Sequence, residues 1–155
     1  MIIRRYKEHD ILEIIKLFYE TIHAINIKDY TKEQVNAWAS GKTDSNKWNR
    51  SFLENYTLVA EDDGVIVGFA DMDKDGYLDR LFVHKVHQGR GIATALCDRL
   101  EEQRAGSRFT THASITAKPF FESRGYQVIK EQTILRNGVT LNNYVMEKHS
   151  PTIKG

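Results

Sequence analysis

Leu81-Phe82-Val83-His84-Lys85-Val86-His87-Gln88-Gly89-Arg90-Gly91-Ile92-Ala93-Thr94-Ala95-Leu96 reads as the end of a buried strand, a short polar loop, a glycine-bracketed turn and the first turns of a helix. Gly89 and Gly91 remove side chains where a ligand has to approach the backbone closely. The helix that follows offers unpaired N–H groups and the positive end of its dipole, an arrangement suited to phosphate. The stretch predicts an anion cradle; the alternative is a glycine-rich helix start with no ligand. A P-loop needs Lys and Ser or Thr after its last glycine, and here Ile92 and Ala93 follow Gly91. A dinucleotide fingerprint needs a third small residue where Thr94 stands, and a suitably spaced acid on a following strand that is not evident.

The 155 residues fit one domain, expected over 1–149, with 150–155 as a flexible tail. With 22 basic against 21 acidic residues the net charge is +1, which gives no reason to invoke nucleic acid or a membrane surface. Cys97 is the one cysteine, so an internal disulfide and a cysteine-rich metal site are excluded. The spacing of the six histidines makes no metal site either. The start of the chain reads as an edge strand, no apolar run approaches a signal or spanning segment, and a cytoplasmic location is the default.

From the first residues onward, 2–6 predicts a short strand, and Asp10 is placed to cap a helix to about residue 24, whose Ile11, Ile14, Ile15, Phe18 and Ile22 recur at helical spacing. Thr31 and Gln34 form a capping-box signature for a helix carrying Val35 and Trp38, and Gly41 is placed to stop it. Asp44 or Ser45 opens another helix bearing Trp48, Phe52 and Leu53. The period then changes to two. Residues 56–61 and 65–70 read as strands joined by Asp63-Gly64, a type I′ signal, and Asp75-Gly76 predicts a second such turn before the strand 77–83. A helix from about 91 to 104 buries Ile92, Ala93, Leu96, Cys97 and Leu100 and ends at Gly106. A strand at 109–114, a short helix with Pro119 early, and a hairpin across Asn137-Gly138 complete the chain. The expected fold is α/β (α+β): a mixed, mostly antiparallel sheet of six to seven strands flanked by helices.

Gln88-x-x-Gly91-x-Ala93 after an apolar strand resembles the acetyl-CoA pyrophosphate loop of the GNAT superfamily of N-acetyltransferases, and the order of elements is that of the GNAT fold. Within the superfamily, residues 113–122 and 30–39 resemble the bacterial YafP-type subgroup. The resemblance implies acetyl-CoA as cofactor and acetyl transfer to a primary amine by direct attack, with a small-molecule acceptor, no metal, and a monomer or homodimer. It implies a pyrophosphate held by Gln88, Gly89, Arg90, Gly91, Ile92, Ala93 and Thr94, with Leu81, Phe82, Val83, Ser114, Lys118 and Phe121 along the rest of the cofactor. The Val83 N–H is then aimed at the thioester oxygen. Two other readings are a non-catalytic acyl-CoA-binding or regulatory domain and an enzyme acting on protein amino groups.

Removing a proton from the acceptor ammonium needs a base. On a regular strand Tyr77, Asp79, Leu81 and Val83 share one face, and the resemblance puts the base, or residues wiring a water to the amine, at Asp79 and Tyr77. Burial beside Leu81 and Val83 would raise the basicity of Asp79; the alternative is an aspartate paired with Arg80, a lysine or a backbone amide. Many family members place a tyrosine, as acid for the thiolate, where this chain has Phe121, which leaves solvent, Tyr144 or no acid at all. His23, Tyr30, Trp38, Trp48 and Asp71 fall where the resemblance places the acceptor, the tryptophans serving as slot, cation box or core. His84 and His87 lie close enough to the cradle to meet phosphates, whereas Cys97 on the buried stripe is a packing residue.

Overall fold

The computed structural model describes residues 1–104, 106 and 108–149; the expected tail at 150–155 lies outside them. Seven strands form one sheet in the order β1-β2-β3-β4-β5-β7-β6: β1 (Ile2–Arg5), β2 (Tyr56–Asp62), β3 (Val65–Met72), β4 (Tyr77–Val83), β5 (Arg108–Ser114), β6 (Gln127–Arg136) and β7 (Val139–His149). The helices are α1 (Ile11–Ala24), α2 (Lys32–Trp38), α3 (Ser45–Glu54), α4 (Ile92–Arg104) and α5 (Lys118–Ser123).

Local chemistry sets most of these boundaries. Thr31 accepts the Gln34 N–H at 3.1 Å while Gln34 Oε1 accepts the Thr31 N–H at 2.9 Å, closing the capping box of α2. Asp44 caps α3 by accepting the Lys47 N–H at 3.1 Å. Asp63 and Asn137 adopt positive φ (50° and 46°) beside Gly64 and Gly138, as type I′ turns demand. Two expectations are corrected. The Asp75-Gly76 turn is not type I′: only Gly76 has positive φ, and Asp73 organises a longer loop by accepting the Asp75 and Tyr77 N–H groups at 2.9 and 3.0 Å. Asp10 does not cap α1 with its side chain; it receives both Arg4 guanidinium nitrogens at 2.9 Å and the Lys7 N–H at 2.8 Å.

Each face of the sheet carries its own core. One joins Leu58, Ala70, Met72 and Leu78 to Ile92, Leu96, Cys97 and Leu100 of α4, with Leu81 and Val83 packed against it. The other joins Val59, Ile66 and Phe69 to Ile14, Phe18 and Ile22 of α1, Val35 of α2 and Phe52 of α3, with Phe82 packed against it. Leu53 of α3 faces away from this core and is 58% exposed. Burial pushes the Cys97 thiol up to about 12, as suits an inert packing residue.

The seam that matters is between β4 and β5. They are the parallel pair of the sheet and touch at Tyr77↔Thr110 and Leu78↔Thr111. Beyond Leu78, β4 continues along β3 while β5 continues along β7, and the two diverge. The Tyr30 hydroxyl holds the far side of this splay, donating to the Asn142 carbonyl at 2.8 Å and accepting the Ile115 N–H at 2.9 Å.

Candidate active site

A cleft of about 1100 Å³ opens in the splay, running from the loop before α4 to the side chains of α2 and α3. Its β4 wall presents backbone. His84 N–H donates to the Val67 carbonyl at 2.8 Å, marking that pair as hydrogen-bonded. The next pairs along the register, Gly68↔Val83 and Ala70↔Leu81, alternate out of the ladder, so the Val83 and Leu81 N–H groups turn away from β3 into the gap. The Val83 carbonyl is held by the Gln88 side-chain amide and by the Thr21 hydroxyl at 3.3 Å. Gln88 thus ties the glycine loop to the strand end.

That loop has the geometry of a cradle. Gly89 and Gly91 sit at φ +75° and +77°, and nothing lies within 4 Å of where a Cβ would stand on either, so space above the backbone is open. With α4 beginning at Ile92, its first N–H groups face the same end of the cleft. Among the described residues, three buried polar atoms on the cleft wall find no partner: His87 Nδ1, Thr116 Oγ1 and Asn143 Oδ1. A long polar ligand with hydrogen-bonding groups along its length fits a cleft so lined.

At the vertex of the splay the regular alternation of β4 fails. Asp71 pairs with Arg80 but Met72 pairs with Leu78, which leaves Asp79 as the extra residue of a β-bulge. Leu78, Leu81 and Val83 therefore share the α4 face, while Arg80 and Phe82 occupy the other. Tyr77 lies with the second group, its ring edge-on to His112 at 5.2 Å. The expectation of one face for Tyr77, Asp79, Leu81 and Val83 is thereby corrected. Asp79 also lacks the burial expected of it: its side chain is 37% exposed and lies 3.5 Å from Arg80.

Arg80 sits over the rings of Trp48 and Phe52 at 4.8 and 4.9 Å and donates to Asp71. Asp71 is fully buried, receives Asn55 Nδ2 at 2.9 Å and, among the described residues, finds no partner for its other oxygen. Burial pushes its carboxyl up to about 7 against the opposing pull of Arg80. Its place is behind Arg80 rather than on the cleft wall, which corrects its expected contact with an acceptor. Burial, with the charge of Asp79, pushes the Tyr77 phenol up to about 12.

Of the other expected acceptor residues, Tyr30, Trp38 and Trp48 line the cleft. Trp38 meets Tyr30 edge-on at 5.4 Å, and Trp48 meets Phe18 at 4.7 Å, so each serves core and wall at once. His23 does not line it; its Nε2 bonds the Ala39 carbonyl at 2.7 Å and its ring stacks on Tyr19. Among the expected cofactor residues, Ile92, Ala93, Thr94, Ser114 and Phe121 are on the wall, Ser114 Oγ accepting the Ala117 N–H at 3.0 Å. Two are not: Arg90 stands exposed on the loop, and the Lys118 ammonium lies over the Tyr144 ring at 4.8 Å. Phe82 reaches the cleft from the acceptor side, edge-on to Phe18. His112, Thr116 and Asn143 carry no signal in the sequence, because only the splay turns these positions into a wall. Among the described residues no group of three or more His, Cys, Asp or Glu could hold a metal, and no helix is long and apolar enough to cross a membrane.

The sequence matches the family model of the acetyltransferase (GNAT) domain over residues 26–148. It is 33% identical over 144 residues to the N-acetyltransferase YafP of Escherichia coli (strain K12), covering 93% of each chain. A GCN5-related N-acetyltransferase from Rhodopseudomonas palustris superposes with a TM-score of 0.92 at 34% identity, covering 96% of this chain and 95% of that one. At 18% identity the likeness to YncA from Salmonella typhimurium, solved with acetyl-CoA, is one of fold, with a TM-score of 0.70 over 99% and 98% of the chains. The chain belongs to the GNAT acetyltransferases, enzymes that draw their acetyl group from acetyl-CoA.

Proposed function

We propose that this chain moves the acetyl group of acetyl-CoA onto a small-molecule primary amine by direct attack, with no acetylated enzyme between. The observation that carries this reading is the splay itself. One continuous cleft joins a glycine cradle at one end, unpaired strand N–H groups in the middle and an aromatic-walled chamber at the other. In the cradle, the N–H groups from Gly89 to Thr94 bind the pyrophosphate. Along β4, Leu81 and Val83 offer backbone to the pantetheine arm, and Asn143, Thr116 and Ser114 face it from the opposite wall. The Val83 N–H, or the Leu81 N–H one pleat nearer the vertex, polarises the thioester carbonyl, a donor role typically worth about 3–4 kcal/mol in acyl transfer.

The acceptor enters from the side of Trp38 and Trp48. Asp79, exposed at the bulge, offers a negative charge to an incoming ammonium, and Tyr77 stands beside it. With Phe121 buried against Phe120 and Tyr126, and unable to donate a proton, the thiolate leaves as a stable anion and is protonated by solvent. The test is free-thiol release from acetyl-CoA across a panel of amines, amino acids and peptides. Release with small amines is the expected result. Coenzyme A binding with no release would favour a binding module, and release with peptides alone would favour protein amino groups.

A further inference from the structure

Resting on the reading of the site as an amine acetyltransferase, we propose that His112 is the general base that takes the proton from the acceptor ammonium. His112 stands one residue past Thr111, the last residue of β5 paired with β4, and so at the vertex of the splay and on the cleft wall. Its ring lies edge-on to Tyr77 at 5.2 Å, on the sheet face that carries Arg80, Phe82 and Trp48. The ring is fixed on one side only: Nδ1 lies 3.3 Å from Gln132 Nε2, and the described residues give Nε2 of the ring no partner. Half a turn of the Gln132 amide exchanges its nitrogen for its oxygen in the same place; Nδ1–H then donates to Gln132 and the ring Nε2 keeps its lone pair for the cleft.

The charged and titratable groups around it are Tyr77 and Asp79 from β4 and Lys130 and Arg136 from β6, while Val145 is its partner on β7. Burial chiefly, then Lys130 and Arg136, hold the imidazole below its ordinary value, against the pull of Asp79. The ring is therefore neutral, and able to accept a proton, throughout the neutral range. Asp79, by contrast, is shared with Arg80.

His112 Nε2 removes one proton from the ammonium, the freed nitrogen pair forms the C–N bond at the thioester carbon, and the C–S bond breaks with its electron pair on sulfur. The second nitrogen proton is released to water, from which the thiolate takes one, and the imidazolium returns its own to water.

The experiment is kcat/KM against pH from 5 to 9, with an amine that the wild type acetylates, for the wild type, His112→Gln, Gln132→Glu and Asp79→Asn, with coenzyme A affinity by calorimetry as the check on folding. The wild type should be level through neutral pH with an acid limb below 6.5. His112→Gln should bind coenzyme A normally, lose about 10²–10⁴-fold at pH 7, and recover about tenfold per pH unit as free amine accumulates. Gln132→Glu can only accept from Nδ1–H, so it should move the acid limb up by about one unit. Asp79→Asn should raise KM and keep the limb. A folded His112→Gln that retains both the wild-type rate and the limb overturns the assignment, and loss of the limb in Asp79→Asn instead transfers the role to Asp79. A wild type that binds coenzyme A yet acetylates no amine removes the acetyl-transfer reading, and the assignment with it.

Discussion

Gly68 on β3 is the point at which the motif helix is seated, and adding one carbon there should be felt at the cofactor end of the cleft. A Cβ on Gly68 would lie 3.0 Å from Ile92 Cγ2, 3.3 Å from the Phe82 carbonyl and 3.4 Å from Leu96 Cδ1. The carbonyl belongs to a paired strand and has nowhere to go. The first turn of α4 must therefore yield by a few tenths of an ångström. Overpacking of this kind costs about 1–3 kcal/mol, offset by about 0.5–1 kcal/mol from replacing a strand glycine. Taking the middle of each range, the net loss is about 1 kcal/mol. At about 2–4 °C per kcal/mol for a chain of this size, Gly68→Ala should lower Tm by about 2–5 °C. Because Ile92 opens the helix that ends in the cradle, coenzyme A affinity should fall as well. Thermal unfolding followed by circular dichroism reads the first effect and calorimetry the second. An unchanged or higher Tm with full affinity would show that α4 is not seated on Gly68 as described.

Two further substitutions address the vertex and the leaving group. Asp71 carries a folded value raised from 3.8 to about 7, so between those values the unfolded chain has released a proton that the fold retains. Its contribution is fully present below pH 3.8 and is lost as pH rises through 7, so stability should decline with pH across that window and Asp71→Asn should flatten the decline in urea titrations. A mutant with the same slope as the wild type would place the titration elsewhere. Phe121→Tyr should leave turnover within about tenfold of the wild type, because a thiolate needs little help to depart at neutral pH. A much larger gain would mean that thiolate protonation limits the native enzyme.

What the sequence made legible is mostly what depends on neighbours in the chain. Asp63-Gly64 and Asn137-Gly138 dictate their turns through their own backbone preferences, and Thr31 with Gln34 closes a cap within one helical turn. The glycine loop and the start of α4 are local in the same sense. The vertex is not. The bulge at Asp79 exists only in the pairing of β4 with Asp71 and Met72, and it reverses the side on which every earlier residue of the strand points. Extending period two from Val83 back to Tyr77 therefore misplaced Tyr77 and promised Asp79 a burial it does not have. Asp71, polar and mid-strand, gave no sign that Arg80 and Asn55 would close over it. His112 had the look of a surface histidine because its surroundings come from β4 and β6, distant in sequence.

Backbone at Gly89–Gly91 is the proposed seat of the pyrophosphate, and titrating coenzyme A into wild type and Gly91→Glu tests this most directly. Gly91 has open space above it, so a Cβ there meets no protein atom within 4 Å and the main cost to the fold is the strain of φ +77°, about 1–2 kcal/mol. The mutant should remain folded and bind coenzyme A at least a hundredfold more weakly, about 2.7 kcal/mol, since both bulk and negative charge enter the cradle. A folded Gly91→Glu protein with wild-type affinity would contradict the account.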